Sequence, residues 1–210
     1  MTPAHETMLF SYPDTLILGS ASPSRSALLK SAGLKFTVQP ADIDEGAIRQ
    51  VLQENNTVNP ADVAEVLARA KAETISQLNP AAAVIGADQI LALGDEIFEK
   101  PANMVDARRS LLALQGQTHQ LHSAVVLARN GDVIWSHVQT ASLTMRTLTP
   151  EDIGLYLSAA GDSVLSSVGA YQLESLGVHL FEEIEGDYFT ILGLPLLKLL
   201  ERLRLEGEVT

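Results

Sequence analysis

LILGSASPSRSALL, at residues 16–29, places a short apolar run directly before the start of a helix. Residues 16–20 have the composition of a buried strand. Ser22 suits the N-cap, Pro23 suits the first helical position, and Gly33 ends the predicted helix. A strand that leads straight into a helix is typical of α/β folds. The same junction presents free backbone N–H groups at a positive dipole end, which suits a phosphate group.

The rest of the chain alternates strands and helices at first and changes to antiparallel pairing in its middle. We predict further strands over residues 36–38, 82–87, 119–129, 133–145 and 188–192, and further helices over residues 60–78, 105–114 and 195–205 and after Thr149. Asn130-Gly131 predicts a tight hairpin between the two longest strands. These elements predict an α/β fold on a mixed sheet, in a single domain over residues 16–206 that follows a loose leader over residues 1–15.

The composition excludes several classes of protein. Hydrophobic residues make up 46% of the 210 residues, which is enough for a sizeable core. Acidic residues outnumber basic ones by 26 to 14, and a net charge of -12 argues against nucleic-acid and membrane partners. The chain has no cysteine, no apolar stretch of the roughly 20 residues that a bilayer requires, and no signal-peptide pattern. We therefore expect a cytoplasmic location.

Several acidic and basic residues occupy positions where phosphate and metal ligands are often found. Arg25, in the first turn of the first helix, adds a bidentate donor for a phosphate. Asp88 directly follows a predicted buried strand, and ligands of α/β sheets collect at the carboxyl ends of strands. Glu45, with Asp42 and Asp44, supplies the oxygens that a hard cation prefers. Each also has an ordinary explanation: a solvated arginine on a capped helix, an aspartate in a turn, and an exposed acidic loop.

Lysine is scarce in this chain, and histidine does not cluster. Lys71 lies on the predicted helix 60–78, and Lys100 precedes a proline that stiffens its loop. Either ammonium group could reach a phosphate or lie on the surface. His119 and His122 are three residues apart on a predicted strand, so they face opposite sides. Because the chain also lacks a Walker A loop and an HExxH motif, any metal would be bound through carboxylates.

The order of these motifs resembles the Maf family of nucleoside triphosphate pyrophosphatases, over about residues 16–203. The matching motifs are Ser20-x-Ser22-Pro23-x-Arg25, Asp44-Glu45, Lys71-Ala72, Gly86-Ala87-Asp88, Lys100-Pro101, Gly116 to His119, Gly169-Ala170-Tyr171, Gly186-Asp187-Tyr188 and Gly193-Leu194-Pro195. Each motif is weak by itself, but their common order and spacing make the resemblance specific.

The resemblance implies a fold, an activity and roles for particular residues. The fold is α/β, with an extended mixed β-sheet flanked by helices and a central cleft between two lobes, as in Maf and inosine triphosphatase proteins, and it forms a homodimer. The activity is hydrolysis of a nucleoside triphosphate to a monophosphate and pyrophosphate, with Mg²⁺ or Mn²⁺. The resemblance makes Asp88 the catalytic base and Glu45 and Asp88 the metal ligands. It assigns substrate binding to Ser20, Arg25, Lys71 and Lys100.

Four positions depart from the pattern of the pyrimidine-specific branch of this family. Ser24 and Ser167 stand where that branch has an arginine and a lysine, and Gln89 and Glu174 stand where it has a threonine and a glutamine. Gln89 and Glu174 resemble instead the branch that acts on 7-methylguanosine triphosphate. We therefore expect both residues to bind the substrate and the base to be of the guanine type.

Two functions from other classes compete with this hypothesis. Loss of two cations, at Ser24 and Ser167, is compatible with a nucleotide-binding regulator of cell division or septation that has little turnover. The residues assigned to chemistry are all present, however, and a protein that only binds would not need Asp88. An RNA-binding module is disfavoured by the net charge of -12.

Overall fold

A mixed sheet of seven strands organises residues 15–54 and 59–206, the part of the chain that the computed structural model describes. The predicted leader lies outside this part up to residue 14. The strands are β1 (Leu16–Leu18), β2 (Thr37–Val38), β3 (Ala83–Leu93), β4 (Glu96–Phe98), β5 (Thr118–Arg129), β6 (Asp132–Met145) and β7 (Phe181–Glu185). Their order is β2-β1-β3-β5-β6-β7, and β4 pairs with β3. The pairs of β1 with β2 and β3 are parallel, and the other pairs are antiparallel.

The helices begin where the sequence provides caps. They are α1 (Pro23–Ser31), α2 (Glu45–Glu54), α3 (Pro60–Leu78), α4 (Met104–Leu114), α5 (Pro150–Ala160), α6 (Tyr188–Ile191) and α7 (Leu196–Leu205). The Ser22 hydroxyl accepts from the Arg25 N–H, and Asn59 caps α3. Thr149 and Asp152 form a capping box at α5. The predicted α/β class with a mixed sheet flanked by helices is confirmed.

Helices cover both faces of the sheet. On one face α3 packs its buried residues, among them Leu67 and Ala68, against Ile90 and Ala124 of the sheet. On the opposite face α1 and α7 pack in one apolar cluster, and α4 and α5 pack in another. No helix in the described part of the chain is long and apolar enough to cross a membrane.

Gly86 allows α3 to lie unusually close to β3. A Cβ atom at this position would lie 2.2 Å from the Ala68 carbonyl oxygen and 2.7 Å from the Ala72 Cβ. Neither neighbour can move without displacing the helix, so the crossing requires glycine. The close approach brings Lys71 on α3 beside Asp88, two residues along β3 from Gly86.

One predicted strand end and one predicted strand are wrong. β3 continues to Leu93 instead of ending at residue 87, because β5 pairs with it through Ala92. Asp88 therefore lies in the middle of a strand and is 6% exposed. Residues 188–192 were expected to form the last strand, but α6 occupies this segment because Asp187 accepts hydrogen bonds from the N–H groups of Phe189 and Thr190.

Candidate active site

A cavity lies beside an unpaired stretch of β3. β1 pairs with β3 up to Ile85 and β4 pairs with it from Leu91, while β5 lies along the other side. In the described part of the chain, no strand covers residues 86–90 on the β1 side. A cavity of about 690 Å³ opens at this gap. The gap lets a ligand reach residues of β3 that a neighbouring strand would cover in a continuous sheet.

The cavity brings together residues that lie far apart in the sequence. All the predicted site residues line it: Ser20, Arg25, Glu45, Lys71, Asp88, Gln89, Lys100 and Glu174. Asp42 and Asp44, the other members of the acidic stretch, are not among the lining residues. Asp44 instead accepts from the Ala47 N–H at 2.9 Å, at the start of α2. The exposed acidic loop considered from the sequence is therefore the start of a helix that directs Glu45 to the cavity.

Arg25 is buried and is held on several sides. Its Nε donates to the Gly193 carbonyl oxygen at 2.8 Å. One terminal nitrogen donates to the Ser20 hydroxyl and to the Ala87 carbonyl oxygen, both at 2.9 Å. Burial lowers the pKa of the guanidinium, and the charges of Asp88 and Glu45 oppose this shift. Arginine stays protonated in proteins, so a fixed positive charge stands at the cavity wall. The solvated arginine considered from the sequence is excluded.

Lys71 links the two carboxylates of the site. Its Nζ lies 2.5 Å from Asp88 Oδ1 and 2.8 Å from Glu45 Oε1, and the residue is 8% exposed. Burial tends to raise the pKa of Glu45, but the hydrogen bond and charge of Lys71, with the charges of Arg49 and Lys100, outweigh it and lower that pKa. Glu45 is therefore held in the ionised form.

Arg49 belongs to the cavity wall and was not identified from the sequence. One of its terminal nitrogens lies 2.9 Å from Glu45 Oε2, and the other lies 3.3 Å from Glu99 Oε1. A glutamate and an arginine four residues apart form such pairs on a helix. This spacing would have indicated the contact if α2 had been predicted.

Lys100 lies at the open side of the cavity. The residue is exposed as a whole, but partial burial of its ammonium, followed by repulsion from Arg25 and Lys71, lowers its pKa. The charges of Asp88 and Glu45 act in the opposite direction. Lys100 therefore belongs to the same electrostatic cluster as the buried residues, which supports a role toward an anionic ligand.

Gln89 and Glu174 line the cavity in different ways. The Gln89 amide nitrogen contacts the Ser123 hydroxyl and the carbonyl oxygens of Thr190 and Ile191, at 3.0 to 3.1 Å. Because these contacts occupy the amide donor, the amide oxygen is the group left for a ligand. Glu174 is exposed, and its Oε1 accepts from the Ser24 hydroxyl at 3.3 Å. Two of the departures noted in the sequence, at Ser24 and Glu174, are thus in contact across 150 residues.

The carboxylates of the site fit a divalent metal that binds together with a phosphate ligand. Asp88 Oδ2 is buried and has no hydrogen-bond partner among the described residues. A buried charged oxygen without a partner is costly, so this atom is suited to receive a cation or a water. Glu45 reaches the same Lys71 ammonium as Asp88. The described residues contain no metal-binding cluster of three or more His, Asp or Glu. Mg²⁺ is commonly bound by one or two carboxylates with waters and substrate phosphates, which matches this donor set.

The fold and the cavity together define a class of protein. An α/β sheet presents two carboxylates and several cations around one space, an arrangement typical of enzymes that act on phosphate-bearing ligands. The Maf-like protein family model matches residues 15–206 of this chain. The chain therefore belongs to the Maf family, and the resemblance seen in the motifs is confirmed.

Curated relatives match nearly the whole chain. The 7-methyl-GTP pyrophosphatase of Brucella abortus biovar 1 (strain 9-941) is 58% identical over 191 residues, which cover 91% of this chain and 96% of the relative. The protein of the same name from Mesorhizobium japonicum is 56% identical, with 93% and 98% covered. The nucleoside triphosphate pyrophosphatase of Bradyrhizobium diazoefficiens is 50% identical, with 91% and 93% covered.

Proposed function

We propose that this protein hydrolyses a nucleoside triphosphate with a guanine-type base, 7-methylguanosine triphosphate above all, to the monophosphate and pyrophosphate. Relatives at 50 to 58% identity carry the names of pyrophosphatases, and those cited at 56 to 58% identity carry the name 7-methyl-GTP pyrophosphatase. The single structural observation that carries the proposal is the buried Asp88 carboxylate at the cavity. Lys71 holds its Oδ1, and its Oδ2 has no hydrogen-bond partner in residues 15–54 and 59–206.

Five charged residues of the cavity have parts in this reaction. Arg25, Lys71 and Lys100 bind phosphate oxygens and neutralise the charge that develops on them. Asp88 Oδ2 orients a water toward the α-phosphorus and accepts its proton. The new bond joins the water oxygen to the α-phosphorus, the bond from that phosphorus to the bridging oxygen breaks, and pyrophosphate leaves. Mg²⁺ or Mn²⁺, held by Glu45 and Asp88, would add Lewis-acid neutralisation of the triphosphate.

The competing regulator of division has less support. Its motivation was the loss of two cations, at Ser24 and Ser167. Ser24, however, is hydrogen-bonded to Glu174, so one lost cation has been replaced by a different polar pair at the cavity. The Ser24–Glu174 hydrogen bond involves none of Arg25, Lys71 and Asp88, which all line the cavity, and their presence there supports turnover over binding alone.

The assembly and location of the protein are also proposals. We infer that it acts as a homodimer, as the family resemblance implies, and that it works in the cytoplasm. The absence of cysteine from the chain suits a reducing compartment. The net charge of -12 disfavours a nucleic-acid or anionic-membrane partner, so the nucleoside triphosphate is the expected ligand.

Glu174 is the residue that suits a guanine-type base. Guanine presents adjacent N1–H and N2–H₂ donors, and one carboxylate can accept from both. Methylation at N7 makes the ring cationic and strengthens both donors. Uracil and thymine present one N–H between two carbonyl oxygens, so a carboxylate at that edge would face lone pairs on both sides. A bidentate pair of this kind favours guanine over uracil and thymine, because a pyrimidine base would leave the carboxylate unpaired.

Release of pyrophosphate from a panel of nucleoside triphosphates tests the proposed function. We expect guanine-type triphosphates to be preferred over uridine and thymidine triphosphates. We expect Glu174→Gln to reduce this preference on the order of 10- to 100-fold, the worth of a good bidentate pair to a base. Glu182→Gln, an exposed glutamate outside the cavity lining, is the matched control. A preference for uridine triphosphate that Glu174→Gln leaves unchanged would show that Glu174 does not read the base.

A further inference from the structure

The segment that carries Ser167 and Glu174 is held in an unfavourable backbone conformation. We refer to residues 167–174 as the recognition loop. Ala170 has a φ of 61°, and Gly169 before it has a φ of 76°. A positive φ is costly for a residue with a Cβ atom and persists only where the surrounding structure enforces it. Some contact outside the loop must therefore hold it in place.

Tyr171 provides such a contact from the centre of the loop. The side chain is 3% exposed and its ring packs against Phe181, with ring centroids 4.8 Å apart. The Tyr171 hydroxyl lies 2.8 Å from His119 Nε2 at the beginning of β5. Gly169 lies against the same ring, because a Cβ at that position would meet the Tyr171 ring at 2.8 Å. The tyrosine thus joins the loop to the sheet at one defined point.

His119 is unusual among the buried residues of the sheet. It is completely buried, and its Nδ1 has no hydrogen-bond partner among the described residues. Burial lowers the pKa of His119 to about 4, so the imidazole is neutral at neutral pH. An aliphatic residue would satisfy the packing here without leaving a nitrogen unpartnered. The hydrogen bond to Tyr171 is what the imidazole adds, and the reaction described above does not use it.

We propose that the His119–Tyr171 hydrogen bond is a positioning device that holds the recognition loop in the conformation in which Glu174 meets the base. The effect on base preference rests on the proposed function, whereas the role of the hydrogen bond in holding the recognition loop does not. His119 and Tyr171 act through the loop and not on the phosphates. Base preference therefore depends on them, whereas the chemical step does not.

Tyr171→Phe tests the proposal, because it removes the hydroxyl and keeps the ring. We expect the preference for guanine-type over uridine triphosphate to fall about 3- to 10-fold, the worth of one buried hydrogen bond. The change should appear in KM for the guanine-type substrate, with kcat retained. Amide hydrogen exchange should become faster in residues 167–174. The matched control is Thr140→Val on β6. It removes the hydroxyl that lies 2.9 Å from Nδ1 of His122, a histidine on the same strand, β5, as His119.

A double variant separates positioning from stability. His119→Leu with Tyr171→Phe replaces both partners by apolar groups, which is often nearly neutral for stability. We expect this variant to be at least as stable to heat as Tyr171→Phe, while its base preference stays low and its loop exchange stays fast. Unchanged exchange in the loop of Tyr171→Phe, or base preference restored in the double variant, would overturn the proposal. If the wild-type protein shows no base preference, the proposed specificity fails, and hydrogen exchange still decides whether the pair holds the loop.

Discussion

Asp88→Asn is expected to lower kcat by about 10² to 10⁴-fold, the usual worth of a general base. Asparagine keeps the shape of the side chain but cannot accept the proton of the attacking water. It also removes most of the charge that a metal ligand needs and one of the two charges that Lys71 contacts. Steady-state release of pyrophosphate at saturating substrate and metal measures the effect.

The position of Asp88 determines the control for this experiment. Because Asp88 is buried in the middle of β3, thermal unfolding must show that the variant is folded at the assay temperature. Glu45 remains to pair with Lys71 in the variant, so we expect the fold to be retained. Asp95→Asn, in the exposed turn between β3 and β4, should leave kcat unchanged. Turnover of Asp88→Asn close to that of the wild type would disprove the role of Asp88.

Lys71→Ala is expected to lower kcat/KM by about 10² to 10³-fold, the range found when one preorganised donor to transition-state charge is removed. The buried ammonium lies between Asp88 and Glu45, so its loss removes a charge at the phosphates and leaves two carboxylates facing each other. Lys71→Met keeps most of the buried stem and should lose as much activity with less effect on packing.

Lys198→Ala is the matched control for the Lys71 variants. Lys198 is exposed on α7 and pairs with Glu201 at 2.9 Å, outside the cavity lining. Exposed pairs of this kind contribute little to stability, so neither activity nor unfolding temperature should change measurably. Equal activity losses in Lys198→Ala and Lys71→Ala would mean that the effect is one of general charge and not of the site.

Local signals were sufficient for much of the fold. Ser22 and Pro23 predicted the start of α1, because capping depends on neighbouring residues, and the helix predicted over residues 60–78 is α3, which Asn59 caps. The Asn130-Gly131 pair also predicted the β5–β6 hairpin. In the structure both residues adopt the positive φ that a type I′ turn requires.

The errors arose where distant contacts override local pattern. Asp88 was expected to follow the end of a strand, but the ten consecutive residue pairs between β3 and β5 carry β3 past it. The aromatic and β-branched segment 188–192 favoured a strand, yet Asp187 caps a helical turn there. No local signal could show that Ser24 contacts Glu174, because this contact depends on how α1 lies against the recognition loop.

The site residues were named from motifs, and the structure adds the reason for their proximity. Arg25, Lys71 and Asp88 come from α1, α3 and β3, and they meet because β1 ends at Leu18 and leaves the edge of β3 open. That gap is a property of strand pairing, and the sequence does not reveal it. Their catalytic and metal-binding roles stay predictions until the variants are measured.

Hydrolysis in ¹⁸O-labelled water tests the central claim most directly. A guanine-type triphosphate is converted in a single turnover with Mg²⁺ or Mn²⁺, and both products are examined by mass spectrometry. Attack at the α-phosphorus places the label in the nucleoside monophosphate and leaves pyrophosphate unlabelled. Label in pyrophosphate would mean attack at the β-phosphorus, and a nucleoside diphosphate with labelled orthophosphate would mean attack at the γ-phosphorus. Either result would contradict the assignment of Asp88 to a water aimed at the α-phosphorus.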